Sequence, residues 1–124
     1  MTASDAQEGH LRELFAAIDA CDGERFANFL TPGAEFRFGS APAVVGRDAI
    51  REAVEGFFSS IAGLSHTLHY TAADGETLIC EGEVTYTRHD DSRVTLPFVD
   101  LLRMEDGLFS TYRIYMDIGP LYAS

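Results

Sequence analysis

The chain has 124 residues and a formal net charge of −11, because 20 acidic residues stand against nine basic ones. Every base is arginine, which excludes lysine chemistry such as Schiff-base formation, pyridoxal phosphate attachment and a phosphate-loop lysine. The acidic surface disfavours nucleic acid and anionic membranes as partners, and a hydrophobic content of 46% predicts one globular domain over residues 1–124.

The compartment is predicted from what the chain contains at its start and from its cysteines. The opening "MTASDAQEGH" has no apolar run of the kind a secretory signal requires, and no segment approaches the ~20 apolar residues of a membrane span. Cys21 and Cys80 are far apart in the sequence, so free thiols are expected rather than a disulfide. A cytoplasmic protein is the expectation.

Three helices are predicted in the first half of the chain. A capping box at Ser4 and Gln7, followed by apolar residues at helical spacing, predicts a helix over about residues 5–20. The break "CDG" precedes a short second helix through Phe26 and Leu30, which "TPG" ends. "AEFRF" alternates like a strand, and "GRDAIREAVEGFFSSI" then predicts the third helix.

After Gly63 the apolar period changes from helical to two and remains there. "LSHTLHYTA", "TLICEGEVTYTR", "RVTLPFVDLLRM" and "LFSTYRIYMDIGPL" each alternate, and the turn signals "DG", "HDDS" and "EDG" separate them. Helices followed by a meander of four long antiparallel strands predict an α+β fold with a strongly bent sheet around the helices.

This order of elements, with "DGERFANFLTPGAEFRF", "GRDAIREAVEGFF" and "VDLLRMEDGLFSTYRIYMDIGPL", resembles the nuclear transport factor 2-like superfamily over roughly residues 8–121. SnoaL-like members, which include polyketide cyclases, ketosteroid isomerases and limonene epoxide hydrolase, look most similar. The resemblance implies a cone-shaped fold, in which three N-terminal helices pack on a curved antiparallel sheet around an apolar pocket. It also implies a hydrophobic small molecule as ligand, a homodimer formed through the outer face of the sheet, and neither a cofactor nor a metal.

Few functional residues of these relatives carry over. Asp100 matches the position at which ketosteroid isomerases keep a protonated aspartic acid that donates a hydrogen bond to the developing oxyanion. The tyrosine and the general base of those isomerases are replaced by Leu14 and Arg37, so steroid isomerisation by their mechanism is not expected. The last-strand aspartate of the epoxide hydrolase is replaced by Ile114, which also disfavours that activity.

Asp100 is nevertheless the strongest candidate for a functional residue. In "LPFVDLLRM" it shares one face of a strand with the apolar residues Leu96, Phe98 and Leu102. A carboxyl group in an apolar pocket has a raised pKa, which makes it a neutral donor or a general base near pH 7. The alternative is a purely structural aspartate bonded to the backbone or to Arg37. If Arg37 points inward and pairs with Asp100, it would keep the carboxyl ionised and create an anion-binding site instead.

His66 is the second candidate, because it lies on an otherwise apolar strand face and because histidine as a residue type exchanges protons readily. It is predicted to assist Asp100 in catalysis, and the alternative is a core histidine bonded to a backbone carbonyl or a tyrosine hydroxyl. His69 falls on the opposite face, where a cation site with Glu81 and Glu83 is less favoured than a solvated or dimer-interface surface.

The walls of the predicted pocket are apolar and aromatic residues on the strand and helix faces assigned inward, with core packing as the alternative for each. They are Phe15, Phe57, Tyr70, Tyr86, Phe98, Tyr112, Ile114 and Met116.

Two functions therefore remain open from the sequence. The first is an isomerase-, cyclase- or hydratase-type enzyme that transfers a proton on a small hydrophobic carbonyl compound, with Asp100 and His66 as catalytic residues. The second is a non-catalytic ligand-binding or dimerisation module of the same fold, which the loss of the isomerase and hydrolase residues supports. A protein-interaction adaptor is a third interpretation, and it requires an exposed apolar patch.

Overall fold

The structure is a computed structural model that describes residues 2–123, in which helices come first and a strand meander follows. This order confirms the predicted α+β class. The elements are α1 Asp5–Asp19, α2 Gly23–Ala27, β1 Leu30–Phe38, β2 Val44–Val45, α3 Arg47–Ser59, β3 Gly63–Asp74, β4 Thr77–Thr87, β5 Arg93–Glu105, β6 Leu108–Tyr115 and α4 Gly119–Tyr122.

The start of α1 is fixed by the predicted capping box. The backbone N–H of Gln7 donates to the Ser4 hydroxyl at 3.1 Å, and the Ser4 N–H donates to Gln7 Oε1 at 2.9 Å. These two bonds satisfy amides that have no partner within the helix. The second helix ends at Ala27, earlier than predicted, because Leu30 already belongs to β1.

The six strands form one open sheet in the order β2-β1-β6-β5-β4-β3. The predicted antiparallel meander of β3 to β6 is confirmed. The expectation of a wholly antiparallel sheet is wrong at one place, because β1 pairs with β6 in parallel. Most of the chain lies between these two strands, and such a long connection permits either direction of pairing. The short elements β2 and α4 were not predicted.

A bulge divides β3 into two halves with opposite orientations. The register with β4 shifts by one residue between Leu68 and Tyr70, so His69 is the extra residue. Gly82 of β4 lies against this bulge, where a Cβ atom would collide with the carbonyl oxygen of Thr67. The bulge reverses which side chains face inward beyond this point, and Tyr70 is 58% exposed as a result.

The helices cover the concave face of the sheet, and the core lies between them. Asp100 lies among the core residues and is the one acidic residue that is buried in the described part of the chain. Within residues 2–123, no helix is both long and apolar enough to cross a membrane.

Candidate active site

A cavity of about 270 Å³ lies between the helices and the concave face of the sheet. Its volume is near the lower end of the ~300–1,000 Å³ usual for small-molecule sites, and a cavity of ~150 Å³ holds benzene. The size therefore suits a ligand with one or two rings. The residues that line it are Ile18, Phe26, Phe36, Phe38, Ala41, Pro42, Val44, Ala53, Val54, Phe57, Phe58, Leu64, His66, Val84, Tyr86, Phe98, Asp100, Tyr112, Ile114, Met116, Ile118 and Tyr122.

Asp100 projects from the middle of β5 into this apolar wall and is 1% exposed. The Tyr112 hydroxyl donates a hydrogen bond to Asp100 Oδ2 at 3.2 Å. Asp100 Oδ1 has no hydrogen-bond partner among the described residues. Burial raises the pKa of Asp100 well above its ordinary value, and the hydrogen bond from Tyr112 opposes that shift only in part.

This arrangement leaves Asp100 able to donate one hydrogen bond to a ligand. In the neutral acid, Oδ2 accepts from Tyr112 while Oδ1 carries the proton, which makes Oδ1 a donor. A buried polar atom without a partner costs about 1–3 kcal/mol. A ligand acceptor beside Oδ1 would remove that cost.

The alternative in which Arg37 pairs with Asp100 is wrong. Arg37 is exposed on the outer face of β1, where its Nε donates to the carbonyl oxygen of Ala41 at 3.2 Å. The period-two pattern places its neighbours Phe36 and Phe38 in the cavity wall instead. No arginine is among the residues of 2–123 that line the cavity.

His66 is held by an acid that the sequence analysis did not single out. Asp19, the last residue of α1, contacts His66 Nδ1 through Oδ1 at 2.6 Å and accepts from the His66 backbone N–H through Oδ2 at 3.0 Å. A carboxylate partner makes Nδ1 the protonated nitrogen and leaves the Nε2 lone pair free. The His66 side chain is only 10% exposed and lines the cavity.

His66 and Asp100 line one cavity but lie at separate places in its wall. The register aligns His66 with Val84 and then with Leu96, and Asp100 lies four residues further along β5. Four residues correspond to about 13 Å of strand. The Phe98 ring, 5.3 Å from the His66 ring, is on the same inward face of β5. Any joint action on a ligand therefore involves two different atoms of that ligand.

Six of the eight predicted wall residues line the cavity: Phe57, Tyr86, Phe98, Tyr112, Ile114 and Met116. Phe15 and Tyr70 do not. Phe15 is buried behind the wall, with its ring centre 4.8 Å from that of His66 and 6.0 Å from that of Phe98. The prediction for Tyr70 is wrong because the bulge at His69 turns it outward.

Two further groups lie near Asp100. Cys80 is its cross-strand neighbour on β4, and burial, followed by the nearby Asp100, raises the pKa of the Cys80 thiol. Tyr86 contacts Met116 Sδ through its hydroxyl at 3.8 Å, and burial, Asp100 and Tyr122 raise its pKa. Both groups are therefore neutral near pH 7.

On the outer face, the described residues include the predicted neighbours His69 and Glu83 but no group of metal ligands. His69 Nε2 lies 3.0 Å from Glu83 Oε1, and both side chains are about half exposed. Within the described part of the chain, no three His, Cys, Asp or Glu side chains come together as metal ligands would.

The sequence analysis did not identify Asp19 as a site residue, because the helical period predicts a surface position for it at the end of α1. One signal was available: a carboxylate in the last turn of a helix is unfavourable beside the partial negative charge there, and this turn has no basic residue. Such an acid needs a donor from another element, and β3 provides two N–H groups.

Comparison with known proteins agrees with this architecture. The model of the SnoaL-like domain matches residues 11–112, whereas no curated protein matches the chain. TerC, crystallised with polyporic acid, is 17% identical with a TM-score of 0.82, over 95% of this chain and 96% of TerC. A nuclear transport factor 2-like protein of unknown function from Burkholderia pseudomallei is 18% identical with a TM-score of 0.84, over 95% of both chains.

An epoxide hydrolase of the LEH-like type from M. tuberculosis is 15% identical with a TM-score of 0.78, over 90% of this chain and 82% of the hydrolase. At these identities the similarity shows the fold alone. The fold is the nuclear transport factor 2-like fold, and the predicted resemblance is confirmed.

Proposed function

The chain belongs to the SnoaL-like domain family, and we propose that it is an enzyme that transfers a proton on a small, uncharged carbonyl compound. His66 is the general base of this proposal, and neutral Asp100 is the donor to the carbonyl oxygen. The observation that carries it is the buried Asp100 Oδ1, which lacks a partner in the described chain and lies in the same apolar cavity as an oriented histidine.

The reaction follows from the two groups. The Nε2 lone pair of His66 removes a proton from a carbon next to the carbonyl. The electron pair of that C–H bond forms a carbon–carbon double bond, and the π pair of the C=O bond moves to the oxygen to give an enolate. Asp100 donates a hydrogen bond to the oxygen as its negative charge develops, within an apolar wall. His66 then returns the proton to another carbon, or to a hydroxyl that leaves as water. These two endings are isomerisation and dehydration.

Asp19 has a positioning role in this proposal. By accepting from Nδ1 and from the backbone amide of His66, it fixes both the tautomer and the plane of the ring. It also stabilises the imidazolium that forms when Nε2 takes the proton. Neither step requires a cofactor.

The ligand is uncharged in this proposal because the cavity offers neutral hydrogen-bonding groups and aromatic rings. The rings of Phe57 and Tyr86 pack edge to face with their centres 5.8 Å apart, and those of Phe36 and Tyr112 do so with their centres 5.5 Å apart. Such walls favour flat apolar compounds over anions. The crystallisation of TerC with polyporic acid supports a small organic molecule as the ligand class.

A homodimer is also part of the proposal. On the outer face of the sheet, Ile79 and Val99 are each 39% exposed and Tyr115 is 53% exposed. Val99 lies beside Tyr115 in the register. An apolar surface of this kind is typical of an interface. Two free cysteines support the predicted reducing compartment.

The test uses 2-tetralone, an uncharged bicyclic ketone, and follows deuterium uptake at its α-carbons in D2O by proton NMR. We expect the wild-type protein to accelerate uptake over buffer, and His66→Gln to reduce the acceleration by about 10²–10⁴-fold. Asp100→Leu removes the donor and is expected to abolish the acceleration, whereas Asp100→Asn keeps an N–H donor and retains part of it.

The matched control is His69→Gln, which alters an exposed histidine on the same strand. It is expected to leave the rate unchanged. Binding without acceleration, seen as chemical-shift changes at cavity residues, would replace the enzyme with the non-catalytic ligand-binding module. Equal acceleration by His66→Gln and wild type would remove His66 as the base.

A further inference from the structure

The mouth of the cavity is marked by the lining residues that are exposed. Ala41 and Pro42 from the loop after β1, Ala53 from α3 and Tyr122 from α4 are the exposed members of the wall. Tyr122 is 65% exposed although it contributes to the cavity. One side of the opening is therefore formed by the C-terminal segment, defined here as Ile118–Tyr122.

The C-terminal segment has few attachments to the rest of the protein. Its internal bond runs from the Leu121 N–H to the Ile118 carbonyl at 3.0 Å. Leu121 is buried and anchors the segment in the core. Among the described residues, both hydrogen bonds that join the segment to another element come from the Arg88 side chain.

Arg88 directly follows β4, and its side chain makes two hydrogen bonds to α4. Its Nε donates to the Leu121 carbonyl at 2.9 Å, and its Nη2 donates to the Pro120 carbonyl at 2.8 Å. These carbonyls end a helix of one turn, where a cation is favourable. A guanidinium fits the pair because its donors are fixed in one plane.

Residues of the turn after β4 hold Arg88 in place. The third guanidinium nitrogen, Nη1, donates to the Ser92 hydroxyl at 3.0 Å, and the Arg88 backbone N–H donates to the Ser92 carbonyl at 2.8 Å. Asp90 accepts from the Ser92 hydroxyl at 2.6 Å and from its amide at 2.9 Å. These Ser92 hydrogen bonds, together with the nearby Arg88 charge, lower the pKa of the Asp90 carboxyl.

We propose that the C-terminal segment is a gate over the cavity mouth and that Arg88 is the residue that latches it. When the two bonds from Arg88 break, the segment swings away with Tyr122 and a ligand enters or leaves. When they re-form, Ile118 and Tyr122 complete the wall. This proposal concerns access to the site of the proposed function, but it does not require that the site be catalytic.

The test compares Arg88→Ala with Arg93→Ala. Arg93 is exposed at the start of β5 and makes no side-chain hydrogen bond in the described chain, so its loss matches the charge change without touching the segment. The first measurement is amide hydrogen exchange at Leu121. Loss of two charge-assisted bonds is expected to speed this exchange by about tenfold or more in Arg88→Ala, with no change in Arg93→Ala.

The second measurement is the kinetics of 2-naphthol, an uncharged fluorescent bicyclic compound, by stopped flow. A latch predicts that Arg88→Ala raises the association and dissociation rate constants together, by about tenfold, so that Kd changes little. Arg88→Lys keeps the positive charge but loses the planar guanidinium donors. Its association and dissociation rate constants are expected to lie between those of wild type and Arg88→Ala.

Three results would overturn the gate. The first is unchanged exchange at Leu121 in Arg88→Ala. The second is faster exchange at Leu121 with a higher dissociation rate alone, which would make Arg88 a support of the wall. The third is a cavity that admits no 2-naphthol in any variant. Failure of the proposed catalysis is recognised separately, because it appears in deuterium uptake and leaves these rates unaffected.

Discussion

The substitution Asp100→Asn tests, through protein stability, whether burial raises the pKa of the Asp100 carboxyl. A carboxyl whose pKa is raised by folding contributes most below the pKa of the unfolded chain, near 3.8, and that contribution is lost as pH rises towards the folded value. Asparagine has the same shape but no proton to lose. The variant should therefore become more stable relative to wild type as pH rises.

The size of the effect follows from the linkage relation. Each pH unit between the unfolded and folded pKa values changes the difference in free energy of unfolding by about 1.4 kcal/mol. The total gain of the variant over its value at low pH is therefore about 1.4 kcal/mol for every pH unit by which burial raises the pKa of Asp100. The gain continues until the folded pKa is reached.

The assay is urea unfolding of both proteins at several pH values between about 4 and 7.5, with the midpoint and slope recorded at each. The control Glu105→Gln removes an exposed carboxyl from the end of the same strand and should show no comparable trend. A difference that is flat in pH, or that falls as pH rises, would refute a desolvated Asp100. It would indicate an ionised carboxylate with a partner.

Three other predictions concern separate parts of the molecule. Tyr112→Phe removes the bond that lowers the pKa of Asp100, so carbon-13 NMR should show that pKa rising further, with a loss of about 1 kcal/mol in stability. Gly82→Ala places a methyl group against the Thr67 carbonyl, and thermal or urea unfolding should show destabilisation of about 1–3 kcal/mol. Val99→Asp charges the apolar outer face, and sedimentation is expected to show the proposed dimer for wild type and a monomer for the variant; equal sedimentation of the two proteins would contradict the proposed interface.

The elements of the fold could be predicted because their signals are local. The capping box at Ser4, the apolar spacing of α3 and the turn residues before each strand act within a few residues of the chain. The parallel pairing of β1 with β6 has no such signal, because it depends on how the helices return the chain to the sheet. The bulge at His69 follows from the closeness of Gly82 on the next strand, which appears only when the two strands are paired.

For the candidate site too, the residues with a local sequence signal could be predicted and those that depend on long-range contacts could not. Asp100 stood out because it interrupts an apolar row on one strand, and burial raises its pKa as that row predicts. The partner of His66 could not be derived, since Asp19 is 47 residues away and meets it only where the end of α1 crosses β3. Long-range contacts between single polar side chains leave no period in a sequence.

The two buried or half-buried acids of the site differ in what their neighbours allow. Asp19 receives two N–H donors from His66, which suits a carboxylate that fixes the orientation of the ring. Asp100 receives one hydroxyl donor, lies deep in an apolar wall and retains an oxygen without a partner in the described chain. In the proposed function, these different surroundings keep the base, His66, apart from the acid, Asp100, within one cavity, as proton transfer on a neutral compound requires. The same contrast predicts that exchanging the acids for amides is not equivalent: Asp19→Asn should disturb the orientation of His66, whereas Asp100→Asn keeps a donor at the carbonyl.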